Sequence, residues 1–197
     1  MINLGDNNIE LMLGNAEVSK AYLGTEQVYP NKIFASLTYQ NGDVYTIVGS
    51  GYLSKDMVQR GITDSSSPYY YTKITSAKIG ELCTYIGNNA FQRCSSLTSV
   101  EIPDSVVNIR YSAFQGCSSL TSVTIGNGIR SIDYYAFQGC SSLTSFVCRS
   151  TNPPSVSGDT TFMGDSNLVI YVPAESVDAY KAASGWSQYA SRIYPIP

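Results

Sequence analysis

ITSAKIGELCTYIGNNAFQRCSS (residues 74–96), LTSVEIPDSVVNIRYSAFQGCSS (97–119) and LTSVTIGNGIRSIDYYAFQGCSS (120–142) are three versions of one 23-residue phrase. A fourth version opens at Leu143 with LTSFVC and then degenerates. Self-similarity at a fixed period in this size range signals stacked units, each leaving an apolar face that only the next can cover. Function is therefore to be sought on the surface of a stack rather than in the pocket of a globule.

The recurring positions say which side chains face inward. Leu97, Val100 and Ile102 return as Leu120, Val123 and Ile125, and as Ile74, Ala77 and Ile79. That spacing predicts a short strand with its apolar residues turned in, stacked in parallel on its neighbours. Pro103, Gly126 or Gly80 then stops the strand. A further inward residue follows (Ile86, Ile109, Ile132), then Ala-Phe (Ala90-Phe91, Ala113-Phe114, Ala136-Phe137), then Cys94, Cys117 and Cys140. One helical turn packing the aromatic and the thiol against the strand layer fits this order. Gly116 and Gly139 stand where such a turn needs a left-handed cap. Arg93 takes that place in the first copy, and a looser cap is expected there.

The pattern L-x-x-[VL]-x-I-P…I-x-x-x-A-F-x-x-C-x-x-L, over about residues 72–172, resembles the BspA-type leucine-rich repeats of bacterial surface proteins. The resemblance implies a right-handed parallel solenoid used for adhesion and binding rather than catalysis. The chain departs from the pattern at Gly80, Gly126 and Cys148, and where TNPPSVSGDTTF interrupts the fourth copy. The fold class expected is thus a leucine-rich-repeat-like solenoid with short helical turns, a β-rich N-terminal cap and a helical C-terminal cap. Four segments follow: residues 1–30, a cap at 31–73, the solenoid at 74–167 and a second cap at 168–197.

The chain has 197 residues, 43% of them hydrophobic, as in a soluble folded protein, and no apolar run approaches the ~18 residues of a membrane span. A formal charge of −3 argues against nucleic acid as a partner, because phosphates demand clustered Lys and Arg. The first 19 residues carry no basic n-region and no apolar h-region; either export by that route is absent or a signal has been removed. Three of the five cysteines recur at the repeat period on the inward face. Coils ~4.8 Å apart hold parallel Cβ atoms near that distance rather than the ~3.8 Å of a disulfide, so buried free thiols are expected. With no histidine and no C-x-x-C there is no familiar zinc set, and no cofactor is expected.

Outside the array, LGDNNI from Leu4, LGNAEV from Leu13 and LGTEQV from Leu23 form a shorter repeat that predicts small hairpins turning at glycine. KAYLGTEQVYP resembles the YLG repeats that open many tailed-phage and prophage structural proteins, which implies an attachment element; a plain β-meander is the alternative. So few residues bury no core alone, so the segment must dock on a partner, on copies of itself or on the neighbouring cap. FASLTYQNGDVYTIVGSGYL predicts a hairpin at Asn41-Gly42 that covers the first coil. Gly49-Ser50-Gly51 is a turn, since no Lys-Ser/Thr follows it and no helix is evident. Thr63 to Tyr71 is a polar loop. At the other end LVIYVP supplies a last strand, and residues 174–183 a helix, after which Trp186, Tyr189 and Ile193 fold over the final coil. This segment resembles the C-terminal cap of the same repeat family.

The absence of histidine removes the commonest general base, and Glu81, Glu101, Asp104 and Asp133 are scattered over outward positions, so no enzyme is expected. Variation between copies is more informative. Ahead of Ala-Phe stand Gly87-Asn88-Asn89, then Arg110-Tyr111-Ser112, then Asp133-Tyr134-Tyr135. In register these make a strip of Tyr, Ser, Asn and charge on a rigid frame, the composition favoured by binding surfaces. Candidate binding residues are Asn88, Asn89, Arg110, Tyr111, Ser112, Asp133, Tyr134 and Tyr135, with Tyr69, Tyr70 and Tyr71 as an extension; tyrosines merely covering coil edges are the alternative. A second strip, Lys78, Glu101, Thr124 and Val147, faces out from the strands. The expectation is a non-catalytic protein that binds a bacterial surface protein or glycan. The leading setting is a phage virion, where residues 1–30 join other virion proteins or further copies; the alternative is a secreted or cell-surface adhesin.

Overall fold

A computed structural model describes residues 10–12, 21–23, 26–28, 33–40, 42, 44–48, 51–60, 70–158 and 160–197. Alternation of inward Val/Ile with outward polar residues gives each coil a strand, and these strands join laterally into a nine-stranded sheet. Its order is β1 (Glu10–Met12), β5 (Val44–Val48), β4 (Ile33–Tyr39), β7 (Ile74–Ile79), β9 (Ser99–Ile102), β11 (Ser122–Ile125), β13 (Ser145–Cys148), β15 (Val169–Val172) and β16 (Ile193–Pro195). From β7 to β16 every pairing is parallel, and Ser76, Ser99, Ser122 and Ser145 stand opposite one another as the period requires. Ala77, Val100, Val123, Phe146 and Ile170 are buried beneath.

The residue before Ile86, Ile109 or Ile132 does more than the sequence suggested. Here the chain forms a second sheet of five parallel strands, β6 (Gly51–Leu53), β8 (Cys83–Ile86), β10 (Asn108–Ile109), β12 (Ser131–Ile132) and β14 (Ser155–Val156). In β10 and β12 only the isoleucine is fully inward, too short a run for a period-two pattern to be seen.

The third side corrects a second expectation, since the Ala-Phe segment is a chain of tight turns rather than a helical turn. The N–H groups of Ala90, Gln92 and Cys94 bond within the turn at 3.1–3.2 Å, whereas those of Asn89, Phe91 and Arg93 bond to Tyr111, Ala113 and Gln115 of the next coil at 2.7–2.9 Å. A helix would direct all its N–H groups along its own axis and leave this side of the coil unlinked; alternation pairs both sets. The geometry uses left-handed residues at Asn89, Ser112 and Tyr135 (φ 57°, 53° and 62°) and at Arg93, Gly116 and Gly139 (φ 62°, 73° and 72°). The cap at Arg93 is therefore no looser than at the glycines: its N–H reaches Gln115 at 2.8 Å, as that of Gly116 reaches Gln138.

Side chains continue the stacking. Phe91, Phe114, Phe137 and Phe162 lie nearly parallel with centroids 5.0, 5.2 and 5.6 Å apart. Phe162 shows that the interrupted fourth copy still closes a coil, with Gly164 (φ 98°) in the place of Gly116 and Gly139. Thr98, Thr121 and Thr144 each donate to the carbonyl of the preceding copy's threonine at 3.0–3.3 Å. Gln92 donates to Gln115 and Gln115 to Gln138. All five cysteines are free and buried. Burial pushes the Cys83 and Cys94 thiols up to about 12, and Cys117 and Cys140 donate to the carbonyls of Phe91 and Phe114.

Both ends are closed. A hairpin turns at Gly42 (φ 86°), so that β4 and β5 are antiparallel and β4 covers the edge of β7; Asn41 lies outside the described residues. A short helix absent from the sequence reading, α1 (Lys55–Arg60), follows β6 and buries Val58. Gly51 opens β6, while residues 49 and 50 and most of the loop read at 63–71 lie outside the described residues. So do the glycines of the Leu-Gly units; β2 (Ala21–Leu23) and β3 (Glu26–Val28) flank the third as an antiparallel hairpin, and β1 is docked on β5. At the far end a 3-10 turn (Ala174–Ser176) leads into α2 (Val177–Ala182). Trp186 is buried over the last coil and donates its indole N–H to Pro154 at 2.7 Å, and Ile193 and half-buried Tyr189 join it. Among the described residues no helix is long and apolar enough to cross a membrane.

Candidate functional site

The strip ahead of Ala-Phe lies along the border between the five-stranded sheet and the turn side. Tyr111 and Tyr134, one coil apart, are 47% and 52% exposed. Tyr135 packs edge-on against Tyr111, centroids 5.5 Å apart, and tilts toward Tyr134 at 6.3 Å. Arg110 places its guanidinium 5.5 Å from the centre of the Tyr85 ring and 4.0 Å from the Asp133 carboxylate. Asn88 is exposed at the N-terminal end of the strip. The backbone carries these groups on a fixed lattice, because N–H groups of consecutive coils are bonded at Asn89, Ser112 and their neighbours.

Two candidates do not belong to the surface as expected. Ser112, on a left-handed backbone, is buried with its hydroxyl unpartnered. Asn89 shares the left-handed position and is half-buried. The side chains of residues 69–71, offered as an extension, lie outside the described residues. Arg110, Tyr111, Asp133, Tyr134, Tyr135 and Asn88 are brought together.

Two tyrosines missed in the sequence complete the strip. Tyr85 stands on the outer face of β8, in line with Asn108 and Ser131, where a bond from Asn108 to Ser131 continues the row. Tyr52 lies on β6 opposite Tyr85, is 44% exposed and accepts the Asn88 N–H at 2.9 Å. The signal was present in Tyr52-Leu53 as an echo of Tyr85-Ile86, but the intervening stretch breaks the period.

The second strip also forms: Lys78, Glu101, Thr124 and Val147 are opposite one another on the outer face of the large sheet, continued by Tyr171 and Tyr194. Glu101 pairs with Arg149 at 3.7 Å, both well exposed, a contact of little energetic weight. Asp104 accepts the Asn127 N–H of the next coil at 2.7 Å, and Asp133 faces Arg110 across 4.0 Å.

The profile of BspA-type leucine-rich repeat regions, in six copies, matches residues 64–178. A leucine-rich repeat protein from Bacteroides ovatus is 23% identical, with a TM-score of 0.40, over 50% of this chain and 36% of that one. A leucine rich cell surface protein from Faecalibacterium prausnitzii is 20% identical, with a TM-score of 0.35, over 80% of this chain and 44% of that one. The chain thus spans less than half the length of either. No curated protein is significantly similar. With its repeat matched over more than half of its length, the chain belongs to the BspA-type leucine-rich repeat family.

Proposed function

We propose that this chain is a non-catalytic binding protein that presents the tyrosine strip at a bacterial cell surface, where it engages a surface protein or glycan. The observation that carries the reading is the pair Tyr111 and Tyr134, each about half exposed on a frame whose every coil is bonded to the next. Tyrosine offers large amphipathic contact at low entropic cost, and the frame removes the cost of ordering a loop. Family membership supports the surface setting. Replacing Tyr111, Tyr134 and Tyr135 together with Ala is expected to abolish adhesion to bacterial cells with a melting temperature close to wild type. Unaltered adhesion would move the site to the strand face.

A second reading, a phage virion component attached to its particle through residues 1–30, is favoured by the three Leu-Gly units alone. Mass spectrometry of purified virions against cell envelope and culture supernatant separates the two settings. Recovery in virions would replace the cell-surface reading.

A further inference from the structure

Two rings in the strip are seated in the same unusual way. At the position after the inward isoleucine, the copies carry Gly87, Arg110, Asp133 and Ser157; at the next position they carry Asn88, Tyr111, Tyr134 and Gly158. Gly87 and Gly158 each lie under an aromatic ring. A Cβ on Gly87 would stand 2.6 Å from Cζ and 2.7 Å from Cε1 of Tyr52. One on Gly158, whose φ is +71°, would stand 3.0 Å from Cε1 of Tyr134. Each ring thus rests on bare backbone and keeps 44% or 52% of its residue's surface in water. This is how a protein builds an aromatic platform: one side supported, the other free.

We infer that the strip recognises a neutral glycan, with pyranose rings stacked on Tyr52 and Tyr134 and their hydroxyls hydrogen-bonded by Asn88 and the Arg110–Asp133 pair. This rests on the proposed binding role of the strip and assigns its ligand class. Axial C–H groups of a pyranose carry partial positive charge and fit the negative face of an aromatic ring. The platforms lie at β6 and β12, three strand spacings of ~4.8 Å apart, so the ligand is a chain of sugars rather than one. Arg110 and Asp133, 4.0 Å apart, cancel each other's charge, so the strip holds no net attraction for phosphate or sulfate.

The test is native affinity electrophoresis of the whole chain in gels containing a β-1,4-glucan, a β-1,3-glucan, an α-mannan or a galactomannan, with dextran sulfate as the charged control. At least one neutral polysaccharide is expected to retard the wild type, and a Tyr52→Ala/Tyr134→Ala variant to bind it at least tenfold more weakly. Dextran sulfate should retard neither. Gly158→Val, which dislodges the Tyr134 ring, should weaken binding as well; the double tyrosine variant, which removes only exposed rings, decides the matter if the valine variant misfolds. Retardation by no neutral polysaccharide, or equal retardation of wild type and tyrosine variant, overturns the inference. If adhesion to cells still depends on Tyr111 and Tyr134 while every gel is blank, the ligand is a protein and the binding role stands; if adhesion does not depend on them, that role falls as well.

Discussion

Asp165 occupies the place that Cys94, Cys117 and Cys140 hold in the earlier coils, and the exchange of a thiol for a carboxyl sets up a conflict at the end of the solenoid. The residue is 2% exposed and neither carboxylate oxygen has a hydrogen-bond partner. Burial pushes its pKa up to about 8, opposed only in part by the nearby Cys140 backbone and the Arg192 charge. Arg192 spends a hydrogen bond on the Asp165 carbonyl instead, at 3.0 Å. An unfolded aspartate releases its proton near pH ~3.9. Between that value and about 8 the folded protein holds a proton that the unfolded chain has lost, so this group's contribution falls as pH rises through that window and is level outside it. Asp165→Asn is therefore expected to match the wild type in denaturant midpoint below pH 4 and to exceed it at pH 8.5. Parallel midpoints at both pH values would show that the carboxyl is ionised in the folded state.

At the scale of one coil, the three sides differ in what stabilises them. The turn side depends on the phenylalanine stack, in which Phe114 lies between Phe91 at 5.0 Å and Phe137 at 5.2 Å. Phe114→Ala should cost ~3–5 kcal/mol, since neither coil can collapse into the space while its backbone is bonded to both neighbours. Tyr111→Ala, on the outer strip of the same coil, should stay within ~0.5 kcal/mol. Equal losses in chemical denaturation would mean that the faces are assigned wrongly. This inside-outside division was legible from the period alone, because burial of Leu97, Val100, Ile102, Ile109, Phe114 and Cys117 is a repeated decision. The left-handed positions at Gly116 and Gly139 were legible from their glycines, but the second sheet and the left-handed positions ahead of Ala-Phe were not, because they depend on where the N–H groups point. Asn89, Ser112 and Tyr135 share a backbone conformation, not a side-chain type. Ser112 was misread as a surface residue for that reason. Tyr52 escaped because its strand precedes the array and only parallel pairing with β8 aligns it with Tyr85.

For the whole molecule, a parallel stack has two open ends, and an uncapped strand edge is a template for another chain. The C-terminal edge finishes in β16, which contains Pro195 and is followed by Pro197, residues that lack the N–H a further strand would need. The N-terminal edge is closed in two steps: β4 turns antiparallel onto β7, and β1 then pairs with β5 through Glu10–Ile47, Leu11–Thr46 and Met12–Tyr45. The hairpin strand β4 supplies buried Ala35, Leu37 and Tyr39 to the core without β1. Deleting residues 1–30 should consequently leave cooperative unfolding intact, with a small shift in midpoint. It should also bare the outer edge of β5, where Val44 is already 40% exposed, so that the truncated protein associates with itself as concentration rises. Sedimentation velocity across a concentration series reads this directly. A truncated chain that remains monomeric would show that β1 does not protect that edge, and loss of the cooperative transition would make residues 1–30 part of the folding unit rather than a cover on it.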